Sequence, residues 1–174
     1  MTPEILVRLA NLGQPRRPGR APARLSESVL ADPVAATRQL EALIPRPVRE
    51  ADLPALRHLH QVVVEVAEEL LEGRPLDFGP LNAMIRASTA HLELVVVDGS
   101  IHYHLVWDDP SIAAGLARRL AEEIAAMESS RLRRCARSEC PLLFYDTTRS
   151  RTQRWHAEDP CGWRERQRHR RARS

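Results

Sequence analysis

Three cysteines and one histidine near the carboxyl end of the chain have spacings that suit a metal ion. The pattern is Cys135-x4-Cys140-x15-His156-x4-Cys161, which makes two short ligand pairs separated by a loop. Tetrahedral zinc needs this arrangement, because each pair sits on a tight turn and the loop lets the pairs meet. Three thiolates and one imidazole leave no coordination position for water, so the pattern predicts one structural zinc ion rather than a catalytic one.

Two other interpretations of these residues stay open. His169 is an alternative fourth ligand, although it lies in an arginine-rich segment and makes no matching pair. The cysteines can also be three unrelated reduced thiols, because a C-x4-C spacing is less diagnostic than C-x2-C. Their odd number does not suggest a disulfide framework.

Residues 91–107 hold a second group of candidate ligands. Asp98-Gly99 between two apolar runs predicts a β-hairpin in which Val97 pairs with Ser100. In this register one face is apolar and the other mainly polar, which predicts a half-buried hairpin. The apolar face holds Leu92, Leu94, Val96, Ile101, Tyr103 and Leu105, and the polar face holds His91, Glu93, Val95, His102, His104 and Val106.

The histidines of the polar face suggest a metal enzyme as one hypothesis, because residues i and i+2 share a strand face. The preferred interpretation is a solvated face with a cross-strand Glu93–His104 pair. No Ser–His–Asp order, phosphate-binding glycine loop or H-E-x-x-H motif accompanies these residues. We therefore expect the protein not to be an enzyme.

The charge of the chain is unevenly distributed. Residues 131–174 carry 13 arginines and 5 acidic residues, a net charge of +8, whereas residues 1–130 carry −5. Such an asymmetry predicts a module that binds a polyanion, attached to an ordinary domain. A solvated basic tail is the alternative for residues 164–174, which contain neither cysteine nor tryptophan.

Helical patterns dominate residues 1–130. Residues 4–12 form a short apolar run, and Asp32-Pro33 predicts a helix over 33–43. Residues 52–72 have an apolar stripe between a capping aspartate and Gly73, residues 77–87 predict a further helix, and Asp109-Pro110 begins the last one. Residues 13–24 are rich in proline, glycine and arginine and predict a mobile loop. The fold class expected is mainly α with one β-hairpin (α+β), followed by a small C-terminal zinc module.

The composition limits the class of protein. Hydrophobic residues make up 43% and charged residues 28% of the 174 residues, which is typical of a globular protein. The chain has no run of about 18 apolar residues, so a transmembrane helix is not expected. Residues 1–17 do not have the pattern of a secretory signal, because Arg8 and Asn11 interrupt their short apolar stretch. We therefore expect a cytoplasmic protein without a membrane partner.

The stretch from Arg134 to Arg164 resembles the CGNR zinc finger. This module lies at the C-terminus of a family of bacterial proteins that are assigned as transcription regulators. The family pattern has two cysteines, an F-x-D motif, an arginine-rich stretch, a Trp-Cys pair and a Cys-Gly-Asn-Arg signature. The matching residues are Cys135, Cys140, Phe144, Asp146, Arg149, Arg151, Arg154, Trp155, Cys161, Gly162 and Arg164. The family's third cysteine is His156 here, which is also a zinc ligand type, and the signature asparagine is Trp163.

The resemblance extends more loosely to residues 1–130, which are similar to the ABATE domain of the same stress-response regulators. It implies three parts: a helical regulatory domain at 1–130, the finger at 131–163 and an Arg-rich tail at 164–174. A zinc-containing regulator would bind double-stranded DNA, and its N-terminal domain would sense a small-molecule effector or form a homodimer. The alternatives are an RNA-binding protein or a protein-interaction module with a structural zinc site. The expected nucleic-acid contacts are Arg149, Arg151, Arg154, Trp163, Arg164, Arg166, Arg168, Arg170, Arg171 and Arg173.

Overall fold

A computed structural model describes residues 2–14, 29–108 and 111–172. These residues form a mainly helical structure with two antiparallel hairpins, which confirms the expected fold class. The helices are α1 (Glu4–Ala10), α2 (Pro33–Leu40), α3 (Leu53–Glu72), α4 (Gly79–Arg86), α5 (Ile112–Ala126) and α6 (Trp163–Arg171). The hairpins pair β1 (Ala90–Val97) with β2 (Ser100–Trp107), and β3 (Leu132–Arg134) with β4 (Leu143–Tyr145). No described helix is long and apolar enough to cross a membrane.

Local sequence signals explain several helix ends. The Asp32 carboxylate accepts hydrogen bonds from the Val34 and Ala35 N–H groups at 3.1 and 3.2 Å, and so caps α2. Helix α3 ends at Gly73, whose φ of 64° only glycine adopts at little cost. The capping role predicted for Asp52 is wrong, because its carboxylate instead binds the Arg46 guanidinium and the Arg49 N–H.

Helix α5 begins at a different residue from the one predicted. The Ser111 hydroxyl accepts a hydrogen bond from the Ala114 N–H at 3.3 Å and caps the helix. The predicted start, Asp109-Pro110, lies outside the described residues, as does most of the predicted mobile loop, residues 15–24.

The core of the helical part is aliphatic. Helix α3 turns its predicted stripe inward, and α1 and α5 pack against it. Its fully buried side chains include Leu6, Leu59, Val63, Leu116 and Leu120.

The β1–β2 hairpin has the predicted register but not the predicted burial. Val97 pairs with Ser100, and Leu94 lies opposite Tyr103. The apolar face is exposed to solvent, with Leu94 79% and Tyr103 78% accessible. The expectation of a half-buried hairpin is therefore wrong, because no described element covers this face.

The β3–β4 hairpin packs against the helices of the N-terminal part. Leu132 and Leu143 are buried in the same cluster as α1 and α3. The Asn11 side chain donates to the Leu143 carbonyl and accepts from the Leu143 N–H, both at 2.8 Å. The predicted division after residue 130 remains a prediction, and the two sides of this boundary share one core.

Candidate metal centre

The β3–β4 hairpin and the start of α6 position the three cysteines. Cys135 follows β3 directly, and its N–H donates to the Leu142 carbonyl at 3.0 Å. The Cys140 N–H donates to the Arg137 carbonyl at 2.9 Å and closes the turn between the two cysteines. Cys161 lies in the turn Glu158–Gly162 that leads into α6. Cys135 and Cys140 therefore flank one turn, and His156 lies two residues before the second turn, which holds Cys161.

The four donor atoms of Cys135, Cys140, His156 and Cys161 all lie within 4.8 Å of one another. Cys140 Sγ and His156 Nδ1 are within hydrogen-bond distance, at 3.3 Å. The cysteines are buried, with Cys161 completely inaccessible, and Leu142 packs with them. This is the only group of at least three such ligands that the described residues bring together.

The donor set fits zinc. Zn–S bonds of about 2.3 Å and Zn–N bonds of about 2.0 Å place tetrahedral ligands roughly 3.5–3.8 Å apart. The widest limit on the donor separations, 4.8 Å, exceeds these values by about 1 Å, and four protein ligands leave no coordination position for water. His169, the alternative ligand, lies on α6 and has Nε2 3.7 Å from Glu165 Oε1, outside the cluster. The Cys135, Cys140, His156 and Cys161 cluster can therefore hold one zinc ion.

Burial sets the protonation of the ligands before a metal binds. It raises the pKa of the Cys140 thiol, and it raises the pKa of the Cys161 thiol to about 12. Burial lowers the pKa of His156, which favours the neutral imidazole that coordinates a metal. Since thiols must lose their protons to bind zinc, the loaded site depends on the charge of the ion to hold three thiolates together.

Residues 131–174 match the family model described as the CGNR zinc finger. This segment is a CGNR zinc finger. The match confirms the resemblance found in the sequence and assigns the Cys3His cluster to a zinc-finger module. It does not extend to residues 1–130, whose likeness to the ABATE domain remains a prediction. No curated protein matches the chain.

A buried carboxylate orders the loop of the CGNR finger that follows β4. Asp146 is completely inaccessible and accepts hydrogen bonds from the Thr148 N–H and hydroxyl, at 2.9 and 2.5 Å, and from the Gln153 N–H at 3.1 Å. Burial raises the pKa of Asp146, but these hydrogen bonds and the nearby Arg133 outweigh it and lower the pKa. Asp146 therefore stays ionised and fixes the residues between 146 and 153, which include Arg149 and Arg151.

The predicted nucleic-acid contacts that the structure describes are all exposed. They belong to two parts of the CGNR finger. The loop after β4 presents Arg149, Arg151 and Arg154. Helix α6 presents Trp163, Arg164, Arg166, Arg168, Arg170 and Arg171, whereas Arg173 lies outside the described residues.

Several of these arginines already have partners. Arg151 pairs with Glu128 at 2.6 Å, Arg166 pairs with Glu158, and Arg168 pairs with Glu165. The Arg154 guanidinium lies 5.3 Å from the centre of the Trp155 ring. Arg149 and Arg171 have no carboxylate partner among the described residues, so neither needs to break an ion pair before binding an anion.

The hairpin histidines do not gather into a site. His91 Nε2 lies 3.0 Å from Glu93 Oε1, and His91 Nδ1 lies 2.9 Å from Asp108 Oδ1. Hydrogen bonds to Glu93 and Asp108 raise the pKa of His91. The Glu93 carboxylate thus pairs along its own strand rather than with His104, and these residues form no metal-binding group within the described part of the chain.

Sequence reasoning missed two residues that support the CGNR finger. Asn11 binds the β4 backbone from the far end of the chain, 132 residues away, and no local signal indicates this contact. Glu165 is the buried residue of α6, with 8% exposure, although glutamate is usually exposed. A single acid among the basic residues of 164–173 was the available signal for its special position.

Proposed function

We propose that the protein is a zinc-containing, DNA-binding transcription regulator. The CGNR finger binds duplex DNA, and residues 1–130 bind an effector or bring two copies together. The observation that carries this proposal is the surface of α6. The helix buries its single carboxylate, Glu165, and exposes five arginines together with Trp163.

The charge distribution supports a polyanion as the partner. The finger segment carries +8 and the preceding residues carry −5, so phosphates attract one end and are repelled by the other. Exposed arginines bind phosphates through bidentate hydrogen bonds and also read guanine edges in the major groove. The closed Cys3His set supports a scaffolding role for zinc, and we propose no catalytic activity.

A neutralisation experiment on the full-length protein tests this function. The variant Arg149→Gln/Arg171→Gln removes two arginines that have no carboxylate partner. If both contact phosphates, the slope of log affinity against log salt should become shallower by about 1.8, at about 0.9 per phosphate. Binding to a duplex is followed by fluorescence anisotropy between 50 and 300 mM salt.

The control removes the same charge from the helical part. Arg38 and Arg86 are exposed and have no carboxylate partner among the described residues. The variant Arg38→Gln/Arg86→Gln should keep the wild-type slope. Equal effects of the two double variants would mean that only net charge matters, and a salt-independent affinity of the wild type would end the DNA-binding proposal.

RNA is the second candidate partner, and the exposure of Trp163 favours it. This ring is 54% accessible at the first turn of α6, where an unpaired base can stack on it. Competition between duplex DNA and a structured RNA of equal length separates the two functions. We expect the protein to bind duplex DNA more tightly than RNA, and Trp163→Ala to change the DNA affinity little. Tighter binding to RNA that is lost in Trp163→Ala would identify RNA as the partner instead.

A cavity of about 500 Å³ is the proposed effector site. It lies between α1, α2 and the finger, and its lining includes Val7, Asn11, Gln39, Leu142 and His156. A ligand there would touch both the helical part and a zinc ligand. Compounds that bind it should raise the unfolding temperature of the wild type but not of a Gln39→Trp variant; equal shifts in both would place the effector elsewhere.

A further inference from the structure

The apolar face of the β1–β2 hairpin is the largest exposed apolar feature of the described residues. Three cross-strand pairs make it up: Leu92 with Leu105, Leu94 with Tyr103, and Val96 with Ile101. Their exposed fractions run from 45% for Leu105 to 79% for Leu94. Of ten large apolar side chains that are exposed in the described part of the chain, seven belong to this hairpin, the seventh being Val97.

Exposing an apolar face of this kind to water is energetically unfavourable. A two-stranded sheet alone is marginally stable, and contiguous apolar patches of this kind mark interaction surfaces. In the described structure β1 pairs only with β2, so the strands gain no support from a third strand. No described residue covers the face, so it is available to a partner.

The lack of basic residues in and around the hairpin limits the kinds of partner that can bind the apolar face. The sequence from residue 87 to residue 117 contains no arginine or lysine, whereas Glu93, Asp98 and Asp108 add negative charge around the hairpin. Nucleic acids and anionic membranes attract basic surfaces, so neither is a suitable partner. A neutral apolar protein surface is suitable, since the six side chains of the face carry no charge.

We propose that this face packs against the same face of a second copy. In a two-fold symmetric contact the same patch of both copies forms the interface, so that residue i of one copy contacts residue j of the other and only residues on the axis meet their own equivalents. A patch of one charge sign repels itself in such a contact, whereas an uncharged apolar patch does not. The two hairpins would stack face to face, at the spacing of about 10 Å that packed sheets adopt.

The size of the face predicts a weak dimer. Eight residues per strand at about 3.4 Å each, with strands about 4.8 Å apart, give a face of roughly 27 by 10 Å. The footprints on two copies then total on the order of 500 Å² of projected area, and the relief of the side chains brings the accessible surface buried at most to the lower end of the about 1,200–2,000 Å² found in stable complexes. We expect dissociation in the upper micromolar range.

A small area favours a second copy over a foreign protein as the occupant. Two copies held on one DNA reach a high effective concentration, which compensates for weak intrinsic affinity. This step of the reasoning rests on the proposed function. The self-association can be measured without nucleic acid, so its failure and the failure of DNA binding are distinguishable.

Sedimentation velocity of the full-length, zinc-loaded protein between 5 and 500 μM tests the proposal. The wild type should shift from monomer towards dimer across this range. Leu94→Glu puts a charge at the centre of the face and should weaken association at least about 100-fold, so it stays monomeric. His102→Glu makes a comparable change on the opposite face and should associate as the wild type does.

A charge-pairing experiment separates repulsion from misfolding. Leu94→Glu and Leu94→Lys should each be monomeric, and an equimolar mixture should associate again because the opposite charges attract. A wild type that stays monomeric at 500 μM overturns the proposal and assigns the face to another protein. Association that is equal in Leu94→Glu and the wild type also overturns it, and a mixture that remains monomeric does the same. DNA affinity measured with these variants would report separately on the proposed function.

Discussion

His156 is the metal-centre residue whose surroundings differ most from those of the cysteines. It is partly accessible and lines a cavity, whereas Cys135, Cys140 and Cys161 are buried. Its Nδ1 atom nevertheless lies 3.3 Å from Cys140 Sγ, and burial keeps its pKa low. A neutral imidazole at this position completes the ligand set with one negative charge fewer than a fourth thiolate would bring.

Substitution of this ligand gives the first prediction. His156→Ala should weaken zinc binding by at least about 100-fold, because a tetrahedral site loses one of its four protein ligands. His169→Ala should bind zinc as the wild type does, because His169 lies outside the cluster. Zinc affinity is measured by competition with a chromogenic chelator. Unchanged affinity in His156→Ala, or a loss in His169→Ala, would contradict the ligand assignment.

The Arg46–Asp52 ion pair gives a prediction about pH. The Asp52 side chain is 11% exposed, and its hydrogen bonds to Arg46 lower the pKa of its carboxyl. A lowered folded-state pKa stabilises the protein above the unfolded value of about 3.9, and this contribution is lost as pH falls through the folded pKa. Asp52→Asn should therefore reduce the free energy of unfolding by about 1–3 kcal/mol at pH 7 and by progressively less as pH falls below about 3.9.

Urea denaturation at pH 7 and at pH 2 checks this expectation. Glu41→Gln is the matched control, since Glu41 is exposed and has no ion pair among the described residues. Its stability should follow the wild type across the pH range. A difference between Asp52→Asn and the wild type that persists undiminished at pH 2 would mean that packing, rather than the ionised carboxylate, is responsible.

At the scale of elements, α6 is where the metal centre meets the charged surface. Cys161 lies in the turn that precedes the helix, so zinc binding fixes the start of α6. Glu165 points inward, one turn later, and pairs with Arg168. Zinc binding thus fixes the start of the helix, and the burial of Glu165 leaves the arginines of the helix on the outside.

Removal of this helix gives the third prediction. Deleting residues 164–174 takes away six arginines but none of the four zinc ligands. Zinc content should stay at one ion per chain, while the salt dependence of DNA binding loses most of its slope. Because phosphate contacts carry no sequence information, affinity should fall similarly for all duplexes. An unchanged slope, or affinity lost for one sequence only, would assign a different role to α6.

The elements that were predicted correctly are those specified by neighbouring residues. Asp98-Gly99 sets the register of β1 and β2, and the apolar stripe of α3 ends at a glycine that adopts positive φ. The zinc cluster was predictable because four ligands share two short spacings. The exposure of the hairpin face was not, since alternation specifies which side chains share a face and not what covers them. The Asn11–Leu143 contact could not be predicted from the sequence either, because it depends on how distant segments pack.

At the scale of the whole molecule, the finger and the helical part have opposite charge but are not packed as separate bodies. Leu132 and Leu143 are 5% and 6% exposed and belong to the core formed by α1 and α3. Arg134 pairs with Glu68 of α3, and Asn11 binds both backbone polar groups of Leu143. Charge alone suggests independent modules, whereas the shared core predicts that a change at the zinc site reaches the helices.

The last prediction concerns this coupling. Removing zinc from the full-length protein should speed amide hydrogen exchange in α1 and α3 at least about tenfold, because β3 and β4 lose the constraint on their cysteine-bearing end. Asn11→Ala leaves the Leu143 N–H and carbonyl without their partner, which should cost about 2–4 kcal/mol and make α1 exchange less dependent on zinc. Asn82→Ala is the control, because Asn82 is exposed on α4 and its side chain has no hydrogen bond among the described residues. If exchange in α1 and α3 is the same with and without zinc, the helical part is stable on its own and the shared core does not transmit the state of the metal centre.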